Sequence, residues 1–206
     1  MMGESRSHTG TDSTRDRILQ AAYEEFYRNG FQGGSLNHIA EKSGATKGAL
    51  FHYFKSKAEL GYAIVEEVIQ PSGNERWINP LKEANDPVEA IKTTFRRNIR
   101  EDVTNIEMIE HGCPMNNLAQ EMSPLDEGFR MRIERSYERW REAIADALER
   151  GKQRGQVKKG VGTKEVAALI VACQMGIWGT MRNTKDAELM IQSGEALCNY
   201  LDSLKP

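Results

Sequence analysis

The chain has 206 residues, of which 28% are charged and 39% hydrophobic, and its formal net charge is -2. A chain of this length forms one large or two small domains. Its most apolar stretch, residues 166–181, is interrupted by Gln174 and falls short of a membrane span. The polar N-terminus predicts no signal peptide, and three cysteines in such a chain favour reduced thiols over disulfides. These features predict a helical protein of the cytoplasm that does not bind membranes.

Positive charge is concentrated in one short segment. Residues 1–60 carry a charge of about +1, whereas residues 42–57 contain four lysines and no acidic residue. Such a local excess is typical of a surface that meets nucleic acid, although it also occurs on ordinary solvated faces. The sequence has no phosphate-binding glycine loop, nucleophile elbow, zinc spacing or paired catalytic acids. It therefore predicts no enzyme, no cofactor and no metal site.

The N-terminal helices are predicted from their caps. Residues 1–12 are polar and predict a disordered tail. A first helix is expected over residues 14–29, between a Ser13/Asp16 capping pair and Gly30. A second helix is expected between Ser35 as its N-cap and Gly44 as its left-handed end. Its buried stripe is predicted to contain Leu36, Ile39 and Ala40, and a solvent-facing position is the alternative for His38.

A third, short helix is predicted to have one apolar and one small, polar face. It begins after the N-cap Thr46 and runs over residues 47–54. The apolar arc, expected to pack inward, consists of Leu50, Phe51 and Phe54. The opposite arc consists of Gly48, Ala49, His52 and Tyr53, with Lys47 at its edge. Small residues allow close approach to a DNA groove, and hydrogen-bonding tips reach base edges or phosphates.

A fourth helix is predicted from Lys57 to about Gln70, opened by a capping box of Ser56 and Glu59. Lysines at a helix N-terminus oppose the helix dipole, so Lys55 and Lys57 are better explained by an expected phosphate. Residues 71–74, Pro-Ser-Gly-Asn, predict a loop after this helix.

A spaced set of residues over positions 14–60 resembles the N-terminal domain of the TetR/AcrR family of bacterial transcriptional regulators. The set comprises Ile18-Leu19-Gln20-Ala21-Ala22, Phe26, Gly30-Phe31, Ile39-Ala40, Gly44 and residues 47–57. The resemblance implies an all-α protein, with a three-helix helix-turn-helix domain over residues 13–60 and a ligand-binding and dimerisation domain over residues 61–206. The resemblance, together with the cap and charge arguments, implies that ten residues contact DNA. They are Ser35, Asn37, Thr46, Lys47, Gly48, Ala49, His52, Tyr53, Lys55 and Lys57.

The remainder of the chain predicts four further long helices. One opens at Pro87 and reaches about residue 106 or 109, and a long one spans about 124–154. The long helix carries one apolar face, formed by Ile133, Tyr137, Trp140, Ile144 and Leu148. A glycine-containing loop over residues 155–162 precedes two final helices, about 163–182 and 186–203.

The two final helices are apolar on more than one face, which predicts burial on all sides. Either they complete the core of the monomer or they form a four-helix interface across a two-fold axis, as in the resembled family. The residues expected at such an interface are Val166, Ile170, Ile177, Leu189, Leu197 and Leu201.

Cys113 precedes Pro114 and is the expected N-cap of a short helix that ends near Met122. A thiol at that place meets unpaired amides, which lower its pKa and favour a reactive thiolate. The Gly112-Cys113 step also resembles a TetR subgroup that includes sensors of electrophiles. The alternative is a small, inert, buried residue that lines a pocket.

A ligand pocket is expected in the C-terminal part. Its candidate lining is Phe95, Met108, His111, Cys113, Met115, Asn117, Trp140, Gln174 and Trp178, together with Trp77, Cys173 and Met175. The main functional hypothesis is a repressor that binds a palindromic operator as a homodimer and leaves it when a small-molecule effector binds. The alternative hypothesis is a DNA-binding regulator switched by oxidation or alkylation of Cys113.

Overall fold

The structure, a computed structural model, describes residues 13–206, so the predicted tail over residues 1–12 lies outside the described part. All regular elements between residues 13 and 206 are helical, and this confirms the predicted all-α class. The chain divides into two compact units, of which the first ends at Ile64 and the second covers Val65–Pro206. The sequence had placed this boundary after residue 60.

The first unit contains four helices that begin at hydroxyl-bearing caps. They are α1 (Thr14–Asn29), α2 (Leu36–Ser43), α3 (Lys47–Tyr53) and α4 (Lys57–Ala63). At each start, the side chain of Ser13, Ser35, Thr46 or Ser56 accepts a hydrogen bond from a backbone N–H inside the helix. Side chains from all four helices form the core, among them Ile18, Ile39, Leu50 and Leu60.

Two details of the first unit differ from the sequence prediction. Leu50 and Phe54 lie one turn apart and are buried, but Phe51 is 43% exposed. The reason is that a helix this short buries a single i, i+4 stripe, and Phe51 lies about 100° away from Leu50. At the start of α4, the Glu59 carboxylate accepts from the backbone N–H of Lys55 at 2.8 Å, in place of the reciprocal bond of a capping box.

The predicted loop over residues 71–74 is wrong, because the chain stays helical there. A π-helix over Ile64–Ile69 leads to α5 (Gln70–Gly73), and a second π-helix over Asn74–Ile78 leads to α6 (Asn79–Lys82). Proline inside an α-helix removes one i to i−4 hydrogen bond and clashes with the preceding turn. A π-helical turn just before Pro71 widens the helix and shifts its hydrogen-bond register, so the proline is accommodated.

The second unit continues with six helices. They are α7 (Pro87–Asp102), α8 (Ile106–His111), α9 (Pro114–Met122), α10 (Glu127–Gln153), α11 (Thr163–Thr184) and α12 (Ala187–Asp202). The helix from Pro87 ends earlier than predicted, because Asn105 accepts from the backbone N–H groups of Glu107 and Met108 and thereby starts α8. The predicted apolar face of α10, from Ile133 to Leu148, is buried.

Helix α10 is the central element of the second unit, since α7, α9 and α11 all pack against it. Helix α12 packs against α7 and α11. Within residues 13–206 we find no helix whose length and apolar character would let it cross a membrane.

Candidate nucleic-acid interface and ligand-binding unit

The turn between α2 and α3 is fixed by backbone hydrogen bonds. Gly44 adopts the left-handed conformation with φ +67°, as the sequence predicts. Its N–H donates to the carbonyl of Glu41 at 3.1 Å, and the N–H of Ala45 donates to that of Ala40 at 3.0 Å. This pair of bonds is a Schellman motif, which ends α2 and leads directly to Thr46, the cap of α3.

Glu25 of α1 holds the start of α2 and was not predicted to have a role. Its carboxylate is 5% exposed, accepts from the backbone N–H of Ser35 at 2.9 Å and lies 2.7 Å from Nδ1 of His38. Burial opposes ionisation of Glu25, but these hydrogen bonds outweigh it and leave the pKa of the carboxyl below its ordinary value. A glutamate on a buried helical stripe is the sequence feature that points to this role.

The predicted polar arc of α3 faces solvent. Lys47, Gly48, His52 and Tyr53 are exposed, and Ala49 is half-buried. The rings of His52 and Tyr53 meet edge to face, with centroids 5.3 Å apart. Phe51 adds an apolar ring to this exposed surface. On α2, Ser35 and Asn37 are exposed, while Leu36 is half-buried.

Gly48 is a glycine that the fold itself does not require. Its φ is not in the positive range, and a Cβ there would meet only Oγ1 of Thr46, at 3.8 Å. Glycine lowers helix stability relative to alanine, so its presence in the first turn of α3 favours close approach by another molecule.

Two predicted phosphate-contacting lysines are held by the chain itself. Nζ of Lys55 donates to the carbonyl of His52 at 3.1 Å. Nζ of Lys57 donates to the carbonyl of Gln32 at 3.0 Å and lies 5.1 Å from the centre of the Phe31 ring. These contacts orient both lysine side chains on the surface of the first unit.

The second unit contains an aromatic cluster built around Trp77. This ring lies 5.1 Å from Phe95, 5.0 Å from Trp140 and 5.2 Å from Trp178, measured between centroids. The cluster includes all three tryptophans of the chain. Phe95, Trp140 and Trp178 were candidate pocket residues, and the structure brings them together.

A polar network lies beside this cluster. Arg76 donates to both carboxylate oxygens of Asp102 at 2.9 Å, and Nε1 of Trp178 donates to Oδ2 at 2.6 Å. Arg76 also donates to Oδ1 of Asn98 at 3.3 Å. Burial raises the pKa of Asp102 above its ordinary value, although Arg76 opposes the shift. Sequence spacing does not predict this network.

The predicted low pKa of Cys113 is wrong in direction. The residue does precede α9, and backbone N–H groups of Met115 and Asn116 do favour its thiolate. Burial is the larger effect and raises the pKa of the thiol, because the protein around it disfavours a charge. This environment matches the inert, pocket-lining alternative.

Other candidate pocket residues are engaged or only partly buried. Asn117 donates to the carbonyl of His111 at 2.6 Å and accepts from Arg182 at 2.9 Å. Gln174 is buried, whereas Met108, His111 and Met115 are half-buried. Among the described residues, no group of three or more His, Cys, Asp and Glu side chains is placed to hold a metal ion.

The monomer already buries most residues predicted for a dimer interface. Val166, Ile170, Ile177, Leu197 and Leu201 lie in its core, and Leu189 is half-buried. The alternative, that these side chains complete the core of the monomer, fits those five residues. The exposed large apolar residues of α11 and α12 are others, namely Leu169, Ile191 and Tyr200, and Ala172 and Gly176 of α11 are also exposed.

Comparison with known proteins extends these observations to most of the chain. Residues 18–64 match the family model of bacterial regulatory proteins of the tetR family, and residues 89–197 match that of the tetracyclin repressor-like C-terminal domain. Together with the helix-turn-helix geometry, these matches define a DNA-binding transcriptional regulator. The chain belongs to the TetR family.

Individual relatives agree with this assignment. The uncharacterized HTH-type regulator YxaF of Bacillus subtilis strain 168 is 32% identical over 148 residues, covering 68% of this chain and 72% of the relative. The HTH-type transcriptional repressor DhaR of Mycobacterium sp. strain GP1 is 23% identical over 181 residues, 86% of this chain and 87% of the relative. A TetR regulator from Chloroflexus aurantiacus has a similar structure, with a TM-score of 0.83, 25% identity and coverage of 93% and 96% of the two chains.

Proposed function

We propose that this regulator is a repressor that binds a palindromic operator as a homodimer and is released by a small-molecule effector bound in the second unit. The observation that carries the proposal is the exposed face of α3, where Lys47, His52 and Tyr53 accompany Gly48, a glycine that the fold does not need. Repression is supported by the similarity to DhaR, whose name describes a transcriptional repressor.

DNA recognition is assigned to α3 with support from α2. His52 and Tyr53 supply hydrogen-bonding tips for base edges or phosphates, and Gly48 and Ala49 admit the backbone into the major groove. Lys47, Lys55 and Lys57, together with Ser35, Asn37 and Thr46, supply contacts to phosphates. One helix this short reads only a few base pairs, so a dimer on a two-fold symmetric site is the economical arrangement.

Dimerisation is assigned to the outward face of α11 and α12. Leu169 is 43% exposed and Ile191 is 40% exposed, and the two residues lie on helices that pack against each other. A Cβ at Gly176 would meet nothing in the monomer, so a second helix has room to approach there. These features support a two-fold interface that covers this face.

Effector control is assigned to the second unit. A ligand that binds a conformation with an altered spacing of the two α3 helices shifts the dimer away from the operator. A coupling of about 1–3 kcal/mol lowers operator affinity by roughly 5–150-fold, which is sufficient for regulation.

The test is binding of the purified protein to the DNA upstream of its own gene, measured by fluorescence anisotropy across a salt series. We expect specific binding that survives competitor DNA and weakens steeply as salt rises. A Lys47→Ala, His52→Ala, Tyr53→Ala triple variant should lose this binding. Lys159→Ala, which removes one exposed lysine from the second unit, should retain it. Equal binding by the triple variant and the wild type would refute the assignment of α3.

A further inference from the structure

We propose that the effector is an uncharged, largely apolar aromatic molecule with one carbonyl oxygen, and that this oxygen accepts a hydrogen bond from Tyr137. The inference rests on the proposed function, because it names the chemical class of the effector.

Tyr137 carries a polar group that the monomer leaves unused. Its side chain is only 9% exposed, yet its hydroxyl finds no hydrogen-bond partner among residues 13–206. Buried polar groups are nearly always paired, because an unpaired one loses its bonds to water and gains nothing in exchange. A hydroxyl kept unpaired in the interior of a ligand-binding unit is suited to a partner that arrives from outside.

The surroundings of Tyr137 are apolar and aromatic. Trp140 lies one turn further along α10, on the same buried face, and belongs to the cluster around Trp77. Burial sets the pKa of Tyr137 well above its ordinary value, and a charge on Cys113 would raise it further. Tyr137 is therefore neutral at physiological pH, and its O–H is suited to a partner that supplies an acceptor.

Cys113 lies in the same part of the second unit. Its thiol is surrounded closely enough for burial to raise its pKa, and the residue as a whole is half-buried. Helix α9, which Cys113 precedes, packs against α10, the helix that carries Tyr137.

The charges beside the aromatic cluster are already neutralised. Asp102 accepts both bonds from Arg76 and a third from Trp178, so neither member of the ion pair is left to hold a charged ligand. A carboxylate or ammonium placed here would be buried without a counter-charge, which is strongly unfavourable. An uncharged ligand avoids that cost, and aromatic rings pack well against indole faces.

The experiment compares ligands matched in skeleton and different in the oxygen group. The ketones are acetophenone and 2-acetonaphthone, the anions are benzoate and 2-naphthoate, and the hydrocarbons are ethylbenzene and 2-ethylnaphthalene. Binding to the full chain is measured by isothermal titration calorimetry, and operator release by anisotropy. We expect at least one ketone to bind more tightly than both the anion and the hydrocarbon of its skeleton.

The variant Tyr137→Phe removes only the hydroxyl. We expect its affinity for the ketone to fall about tenfold and its affinity for the hydrocarbon to stay unchanged. Its thermal midpoint without ligand should not fall, because the hydroxyl has no partner to lose. Tyr23→Phe removes a hydroxyl from α1 in the first unit and should bind the ketone like the wild type.

Failure of the inference and failure of the proposed function give different results. Three results would overturn the inference: tighter binding of the anions, no binding of either ketone, or full ketone affinity in Tyr137→Phe. Operator binding could still be intact in each case. Ketone binding that depends on Tyr137 but never releases operator DNA would support the site and refute the proposed release by an effector.

Discussion

At Gly48, stability and DNA binding should respond to one substitution in opposite directions. Gly48→Ala should raise the free energy of unfolding by about 0.4–1 kcal/mol, because alanine reduces the freedom of the unfolded chain and its Cβ meets no close neighbour. The same methyl group would stand between α3 and the groove. We expect operator affinity to fall at least about tenfold, equivalent to about 1.4 kcal/mol, in an anisotropy titration.

Gly73 provides the matched control for this substitution. It lies in helical backbone in the second unit, and a Cβ there would also meet nothing within 4 Å. Gly73→Ala should therefore raise stability to a similar degree and leave operator affinity unchanged. If Gly48→Ala binds the operator as tightly as the wild type, close approach at α3 is not the reason for the glycine.

Glu25 should stabilise the first unit in a pH-dependent way. Glu25→Gln should lower local stability at pH 7 by about 1–3 kcal/mol, since a buried, charge-assisted pair of hydrogen bonds is weakened. The folded-state pKa of Glu25 is lowered from 4.5, so its contribution is complete above about pH 4.5 and is lost as the pH falls through the folded-state value. The difference between wild type and variant should therefore shrink in acid.

Hydrogen exchange of the α1 and α2 amides is the suitable measurement, because the tryptophans all lie in the second unit. Glu24→Gln is the control: Glu24 is 35% exposed and pairs with Lys42 at 2.6 Å on the surface. Its loss should cost no more than about 1 kcal/mol. A Glu25→Gln effect that does not shrink at all as the pH falls below 4.5 and on into strong acid would contradict the role of the ionised carboxylate.

At the scale of elements, the sequence predicts the helix caps, but it does not predict features that depend on packing between helices. Ser13, Ser35 and Thr46 act as N-caps as predicted, because capping depends on neighbouring residues in the chain. Pro71 is also a local feature, yet the π-helical turn that accommodates it leaves no simple sequence pattern. The bounds of α10, α11 and α12 agree with prediction within about three residues.

The candidate sites divide in the same way. Exposure of the polar arc of α3 follows from helical periodicity, so Lys47, His52 and Tyr53 were identifiable. The pKa direction of Cys113 depends on side chains brought in by other helices, and a cap position alone gave the opposite answer. The Asp102 network joins residues far apart in the chain and could not be read from spacing.

Asp102 joins three elements of the second unit and should be important for its stability. Asp102 is the last residue of α7. Its carboxylate contacts Arg76 in the second π-helix and Trp178 in α11. Asp102→Ala leaves a buried N–H and a guanidinium without their partner. We expect a loss of about 3 kcal/mol, the low end for buried pairs, since Arg76 is 30% exposed.

Urea unfolding followed by tryptophan fluorescence measures this loss, because all three indoles lie in the adjoining cluster. Glu101→Ala is the control, as that carboxylate is 58% exposed and lies 3.8 Å from Arg76. It should change stability by less than about 1 kcal/mol. Equal effects of the two substitutions would show that the buried network contributes no more than a surface pair.

At the scale of the whole molecule, the proposed dimer determines how α3 would regulate DNA. In that dimer one α3 would contact one half-site, and a second copy held at a fixed spacing would add the other half-site at a high effective concentration. Because the core residues of α11 and α12 are buried within the monomer, the side chains of these two helices that are available to a partner include the exposed Leu169, Ile191 and Tyr200. An interface there would explain why large apolar side chains stay exposed on these two helices.

The double variant Leu169→Arg, Ile191→Arg should be a folded monomer. Both side chains are at least 40% exposed, so arginine fits without disturbing the core, while like charges facing each other across a two-fold axis oppose association. We expect an unchanged circular dichroism spectrum, a monomeric mass in sedimentation analysis, and operator affinity lower by about 100-fold or more. The control Ile106→Arg changes a 69% exposed apolar position on α8, and this variant should remain dimeric and bind DNA normally.

If the double variant stays dimeric, the partner contacts another face. If the double variant is monomeric and keeps wild-type operator affinity, one α3 is sufficient for the operator.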